Sequence, residues 1–478
     1  MGAYRDDKGK PYVLPSVREA EKNVVTAQMD KEYAGITGVP QFTNAALTLA
    51  YGRESTPLSE GRIVVTQTIS GTGALRIGGA FLERHYPGAK TIYIPTPSWA
   101  NHAAVFKDSG LKVEKYRYYD KNTIGLDFDG MISDIKHMPK GSIILLHACA
   151  HNPTGVDPTE EQWLKIAEAV KEGDHFPFFD MAYQGFASGN TDKDAFALRH
   201  FIREGLRPVL AQSFAKNMGL YGERVGAFSV VCESGEEKKR VDSQIKILVR
   251  PLYSNPPVHG ARIAAHILTN DSLHEQWLGE VKGMADRIIT MRALLYENLQ
   301  KLGSKHDWSH ITSQIGMFAY TGLSAEQMDT LAKEVRVVAV LLGGKALTRM
   351  TALGLCHQGR PHLCGRHHQR KRRPSCGGDL QGQGVSTLCE DDGMASCSVY
   401  HDLVGGISPC CPPRGAIRSV YLHSSEVVAP PHVPLSVAWL ATAIPTGHRA
   451  IGLARRSSMA MPILTESSIA SASCASTY

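Results

Sequence analysis

A hydroxyl, a lysine and an arginine stand close together in Ser213-Phe-Ala-Lys216-Asn-Met-Gly-Leu-Tyr-Gly-Glu-Arg224. The preceding Pro208-Val-Leu-Ala-Gln reads as a β-strand, so Lys216 falls just past a strand's C-terminal end, where open α/β sheets keep their ligands. A hydroxyl three residues before the lysine and an arginine eight after it suit a ligand that has both a phosphate and a carbonyl open to an amine. Pyridoxal phosphate is such a ligand, because its aldehyde takes a lysine as an imine. A lysine at such a place is more often a solvated surface residue, so the weight falls on what stands at the other strand ends.

Four further strand ends carry candidate chemistry. Ile63–Ile69 runs into Ser70-Gly71-Thr72-Gly73 and then a helical pattern with Ala74, Ile77 and Phe81 at helical spacing. A strand, a glycine turn and a helix start offer free N–H groups and a positive dipole end to a phosphate. The pattern is neither G-x-G-x-x-G nor a Walker loop, so nothing in it favours a dinucleotide or ATP. Thr91–Ile94 leads to Pro95-Thr-Pro97-Ser98-Trp99, whose indole could face a flat heterocycle or cover a domain edge. Ser142–Leu146 leads to His147-Ala-Cys149-Ala-His151-Asn152-Pro153-Thr154-Gly155. The alternating His147, Cys149 and His151 lack a fourth ligand at metal-site spacing and read as packed or supporting residues, so no metal is expected. Phe176–Phe179 ends in Asp180-Met-Ala-Tyr183. A carboxylate beside a buried aromatic strand needs a cationic partner, and a protonated pyridine nitrogen would serve.

The elements that must position these residues follow from periodicity. Strands alternate with helices from about 60 to 270, with Val225–Val231 as one more apolar strand, giving an α/β doubly wound, mainly parallel sheet. Ile245 to Pro257 interrupts the alternation, a long helical pattern covers 258 to 302, and residues 307 to 334 begin a smaller second domain. The 478 residues allow one large two-domain enzyme. At a net charge of +6 and 43% hydrophobic residues, no apolar run approaches bilayer length, so no membrane association is expected. Asp6, Asp7 and Glu19 argue against a signal or transit peptide. Only Cys149 and Cys232 of the 10 cysteines precede residue 335, which suits a reducing compartment.

From Val335 the periodicity fades and Cys, His, Arg and Pro crowd in. Arg366 to Arg373 is rich in basic residues and could read as a nucleic-acid or import patch, but nucleic acid is not the expected partner. The Cys356–His368 cluster lacks paired C-x-x-C spacing, so zinc is not expected there. The plain reading is a segment that did not evolve to fold, such as a shifted reading frame or a retained intron.

Residues 2 to about 334 resemble the aspartate aminotransferases, pyridoxal-phosphate enzymes of fold type I. Ser70-Gly-Thr-Gly-Ala-Leu-Arg76, His147 to Gly155, Phe179-Asp-Met-Ala-Tyr-Gln-Gly-Phe186 and the lysine stretch match in order and spacing. Arg5-Asp-Asp-Lys-Gly-Lys-Pro-Tyr and Val281-Lys-Gly-Met-Ala-Asp-Arg287 are similar to the mitochondrial branch, which implies the mitochondrial matrix, with the cytoplasm as the alternative. The resemblance implies a large cofactor-binding domain over 12–283. A small domain would be formed by 1–11 and 284–334, incomplete and without the family's N-terminal arm, followed by an unrelated tail over 335–478.

The resemblance also assigns roles. Lys216 would hold the cofactor and shuttle the proton, Asp180 would keep the ring nitrogen protonated, and Tyr183 and Asn152 would donate to the phenolic oxygen. Ser70, Gly71, Thr72, Ser213 and Arg224 would hold the phosphate, Trp99 would stack on the ring, and His102 and His151 would give support. In a homodimer with shared sites, Tyr33 would reach the neighbour's cofactor phosphate, while Arg250 would fork onto the neighbour's substrate side chain and so select dicarboxylates. Gly2, Trp99 and Asn152 would lie near substrate. The expected reaction is transamination between L-aspartate and 2-oxoglutarate, giving oxaloacetate and L-glutamate. The family's Gly-Arg strand for the α-carboxylate is not recognisable; Gly359-Arg360 and Gly365-Arg366 lack a strand around them, so impaired turnover is expected. Two other readings stay open. One is a non-catalytic subunit lending Tyr33 and Arg250 to a partner, and the other is a different fold-type-I enzyme such as an aromatic aminotransferase or a decarboxylase.

Overall fold

The computed structural model describes residues 3–334, 339–342 and 345–349. In chain order the strands are β1 (Ile63–Ile69), β2 (Thr91–Thr96), β3 (Lys112–Arg117), β4 (Tyr119–Asp120), β5 (Gly125–Leu126), β6 (Ile143–His147), β7 (Phe176–Met181), β8 (Val209–Ser213), β9 (Val225–Val231), β10 (Phe318–Ala319), β11 (Ala339–Leu342) and β12 (Lys345–Arg349). Seven of them form one sheet in the order β1-β9-β8-β7-β6-β2-β3. The pairs β2–β3, β2–β6, β6–β7 and β7–β8 are parallel, whereas β9 is antiparallel to both β8 and β1. The fold is the expected doubly wound, mainly parallel α/β sheet. The link from Ser213 to Val225 contains no helix. Without such a crossover the chain cannot return to a parallel start, so β9 runs back along β8.

Both faces of this sheet are covered, which is why its central strands read as unbroken apolar runs. In β7, Phe178 packs with Val64, Ile77 and Phe228 on one side, while Phe179 packs with Trp163, Phe201 and Leu210 on the other. The two-residue side-chain period divides the aromatic run between two cores. Helices Ser70–His85, Ala100–Asp108 and Gly235–Leu252 contribute to the first core, and Phe128–His137, Glu160–Glu172 and Phe196–Arg203 to the second. Gly78 lets the first of these helices lie close to the sheet, since a Cβ there would stand 2.5 Å from Phe178 Cζ. A third core gathers Tyr183, Phe186, Phe214 and Met218 against Trp277 and Phe42. It underlies the turns that leave β7 and β8.

Two helical expectations change. The long pattern over 258–302 is two helices, His259–Thr269 and Asp271–Lys301. Asn270 is extended between them and its side chain accepts from Leu273 N, capping the second helix. The stretch from Ile245 to Pro257, expected to interrupt, is helical as far as Leu252 despite Pro251. Beyond Glu334, β11 and β12 pair with each other and β12 pairs with β10 in a three-stranded antiparallel sheet. Residues 339–342 and 345–349 of the expected tail are thus paired strands, and the rest of 335–478 lies outside the described residues. The basic run, the Cys356–His368 cluster, Arg360 and Arg366 lie outside the described residues, as does Gly2. Among the described residues no helix is long and apolar enough to cross a membrane.

Candidate active site

The parallel strands β1, β6, β7 and β8 end at one edge of the sheet, and the antiparallel β9 begins there. The ladder pairs Ile69 with Val225 and Ser213 with Gly226, so Ser70, Ser213 and Arg224 come together. Ser70 Oγ lies 3.0 Å from Ser213 Oγ, and Ser70 N donates to Arg224 O at 3.1 Å. Both Ser70 and Arg224 adopt left-handed backbone, with φ of 58° and 54°. Non-glycine residues hold that conformation only where the surroundings impose it. Gly226 is required beside them, because a Cβ would stand 2.6 Å from the carbonyl carbon of Ser70. Helix Ser70–His85 starts here with no side-chain cap and no acidic residue in its first turn. An uncapped helix start carrying Gly71 and Thr72, two hydroxyls and the exposed Arg224 make a cradle for a phosphate.

Next to this cradle stand an amine, an acid and a phenol. Lys216 Nζ lies 5.2 Å from the centre of the Tyr183 ring. Burial, and then the charge of Arg224, hold the Lys216 amine below the usual lysine range, with Asp180 opposing. An amine so placed is more readily neutral and nucleophilic. Burial pushes the Tyr183 phenol up, as does the charge of Asp180, against a hydrogen bond with the Asn152 side chain. Tyr183 therefore stays a proton donor at neutral pH. Burial alone would raise the Asp180 carboxyl, but the His102 hydrogen bond, the neighbouring histidines and Lys216 together hold it below the usual range. It is thus a carboxylate, and its side chain keeps 12% exposure at the strand edge.

Behind Asp180 a row of rings fixes its orientation. His102 Nε2 and Asp180 Oδ2 are 2.8 Å apart, and His102 Nδ1 is 2.8 Å from Ser98 Oγ. Since Asp180 is an acceptor, His102 carries its proton on Nε2 and takes the Ser98 hydroxyl on Nδ1. His147 Nδ1 accepts from Asn152 N at 3.2 Å, so His147 turns its Nε2 toward Ser98. His147 is pushed down to about 3, chiefly by burial, and remains neutral. His151 stacks on Tyr118 at 3.9 Å and bonds Thr154 through Nδ1 at 2.8 Å. Trp99 is partly buried and meets His102 edge-on at 5.2 Å.

These residues fit pyridoxal phosphate: a nucleophilic amine, a carboxylate for a ring nitrogen, a phenol and amide donor, and a phosphate cradle on one edge. A family model for aminotransferase class I and II matches residues 1–353. The chain belongs to this family. Class I and II aminotransferases take pyridoxal phosphate as cofactor, and the chemistry of the edge accords with it. The chain is 59% identical over 337 residues to mitochondrial aspartate aminotransferase of Xenopus tropicalis, spanning 70% of this chain and 79% of that protein. It is 57% identical to the Gallus gallus mitochondrial aspartate aminotransferase, over 70% of this chain and 80% of that one. A solved mitochondrial aspartate aminotransferase from Trypanosoma brucei is similar at a TM-score of 0.70 and 43% identity, covering 74% of this chain and 91% of that one. An aromatic-amino-acid aminotransferase from Burkholderia pseudomallei, solved covalently bound to pyridoxal phosphate, is similar at a TM-score of 0.71 and 42% identity, covering 74% and 87%.

Two expected residues of this aminotransferase are not in the cluster. Tyr33 is 87% exposed. Arg250 is exposed and donates to Ser254 Oγ at 2.8 Å and Asn255 Oδ1 at 3.4 Å. Asn255 Nδ2 in turn donates to Ala34 O at 2.6 Å, so Tyr33 and Arg250 share one outer patch. Sequence reasoning passed over Ser98, which joins two histidines, and Asp157, which accepts from Ala150 N at 2.6 Å and His151 N at 2.8 Å. Asp157 is half-buried, and its desolvation pushes its carboxyl up to about 6. Its only sequence signal is an acid two residues after the Asn-Pro-Thr-Gly turn.

Proposed function

We infer that this aminotransferase exchanges the amino group of L-aspartate with 2-oxoglutarate, giving oxaloacetate and L-glutamate. The observation that carries this reading is the half-buried Lys216 amine beside the Asp180 carboxylate and the Ser70–Ser213–Arg224 cradle, in a chain 59% identical to a mitochondrial aspartate aminotransferase. When bound, the cofactor supplies an aldehyde that accepts the amino group and a ring that withdraws electrons from the substrate Cα. Arg224 would hold its phosphate by paired charge-assisted bonds, with Ser70, Gly71, Thr72 and Ser213 completing the shell. Asp180, kept ionised and oriented by His102, would hold a proton on the ring nitrogen. Tyr183 and Asn152 would donate to the phenolic oxygen, and Trp99 would limit the ring to one plane. Lys216, once free, moves the proton at the substrate Cα; its lowered proton affinity suits a base working near neutral pH.

Recognition of the second carboxylate would fall to Arg250 from a partner subunit in a two-fold dimer, with Tyr33 reaching across to the phosphate. The common exposed patch that holds Tyr33 and Arg250 supports this arrangement. The mitochondrial matrix is the proposed compartment, in line with the relatives from Xenopus tropicalis and Gallus gallus. The test is purified protein with pyridoxal phosphate, L-aspartate and 2-oxoglutarate, with oxaloacetate followed by NADH-coupled reduction. Turnover of phenylalanine or tyrosine with no turnover of aspartate would replace this reading by an aromatic aminotransferase.

A further inference from the structure

The sheet stops fixing β7 against β8 before Tyr183 and Lys216 are reached. Their last ladder pair is Met181 with Gln212, yet Tyr183 and Lys216 lie two and four residues beyond it. Past that pair a side-chain hydrogen bond ties the two turns together. Asn217, directly after Lys216, donates from Nδ2 to the carbonyl oxygen of Gln184, directly after Tyr183, at 3.0 Å. Both ends of this crosspiece are anchored. Trp277 Nε1 donates to Asn217 O at 2.9 Å, and Gln184 Nε2 donates to Leu49 O at 2.7 Å and Thr191 O at 3.2 Å. Asn217 and Gln184 are each 2% exposed and Trp277 is fully buried. Among the described residues Asn217 Oδ1 has no hydrogen-bond partner. The amide is therefore held through its NH2 end, and its donor is the feature that matters.

We propose that Asn217 is a positioning residue for the transamination: its side-chain donor ties the Lys216 turn to the Tyr183 turn and so sets where the Tyr183 hydroxyl stands relative to the cofactor held on Lys216. This rests on the roles given above to Lys216 and Tyr183. A buried crosspiece between two loops is worth more than its bond energy, because reactive groups lose efficiency with displacements of about 1 Å. Asn217→Asp keeps the shape but sets an acceptor against the Gln184 carbonyl. Asn217→Ser removes the reach with less electrostatic disturbance.

The test uses the full chain loaded with pyridoxal phosphate and no substrate, and reads the pH midpoint of its visible absorbance band alongside thermal unfolding. Tyr183→Phe, which removes a donor to the phenolic oxygen, is expected to raise that midpoint by about one pH unit or more. Asn217→Asp and Asn217→Ser should raise it in the same direction by about half a unit or more, with cofactor still fixed to Lys216 by borohydride. A lower unfolding temperature with an unmoved midpoint would make Asn217 merely structural and overturn the proposal. If Asn217→Asp does not fold, Asn217→Ser alone decides. An unmoved midpoint in Tyr183→Phe would refute the role given to Tyr183, and the proposal would fall with it.

Discussion

Replacing Asp180 by asparagine removes a charge and almost nothing else. The amide has the same shape, and its oxygen can still accept from His102 Nε2, now at 2.8 Å from Asp180 Oδ2. The wild-type carboxyl is ionised at neutral pH, because its hydrogen bond with His102 and the nearby Lys216 outweigh its burial. Asparagine then presents an NH2 group toward the strand edge, where a protonated ring nitrogen needs an acceptor. The loss is one charge-assisted hydrogen bond in a buried site, about 2–4 kcal/mol once the repelled donor is included. If that interaction strengthens as the ring takes up negative charge, the same energy appears in the barrier, about 30- to 1000-fold in kcat. The assay is steady-state aspartate turnover at saturating pyridoxal phosphate, with cofactor content measured on each sample. Asp180→Asn within about threefold of wild type at equal cofactor content would refute the assignment of Asp180 to the ring nitrogen.

Arg224→Ala should weaken cofactor retention by roughly 10- to 100-fold, since one charge-assisted phosphate contact is worth about 1.5–3 kcal/mol; reconstitution of apoprotein followed by absorbance measures it. Arg250→Ala should raise KM for aspartate and 2-oxoglutarate far more than for an aromatic substrate, and equal effects on both would remove Arg250 from substrate selection. His147 is depressed from an ordinary 6.5 to about 3 by burial, so the unfolded chain binds the extra proton between those values. Stability should then fall as pH drops from 6.5 toward 3, by up to about 1.4 kcal/mol per pH unit from this residue. His147→Asn should flatten that acid slope in urea unfolding measured at several pH values; an unchanged slope would rule His147 out as its source.

Much of the sheet was legible because its central strands are short apolar runs separated by helical patterns. Strand direction was not: Val225–Val231 reads the same either way, and only the helix-free link from Ser213 turns it antiparallel. Lys216, Asp180 and Ser70 stood out because reactive side chains directly after apolar strands are costly without a ligand. Ser98, Asp157 and Asn217 did not, because a serine, an acid and an amide in turns are ordinary until the folded chain shows what they touch. Asn270 looked like one more residue inside a long helical pattern, and its capping geometry is what divides that helix. The faint periodicity after Glu334 hid β11 and β12, which pair with each other, while β12 also pairs with β10, a strand only two residues long.

The whole reading rests on the amine of Lys216 as the point of cofactor attachment. Purified protein incubated with pyridoxal phosphate, reduced with borohydride and digested should give a pyridoxyl mass addition on the peptide containing Lys216, together with a visible band that Lys216→Ala abolishes. No added mass at Lys216, or the same band in Lys216→Ala, would contradict it.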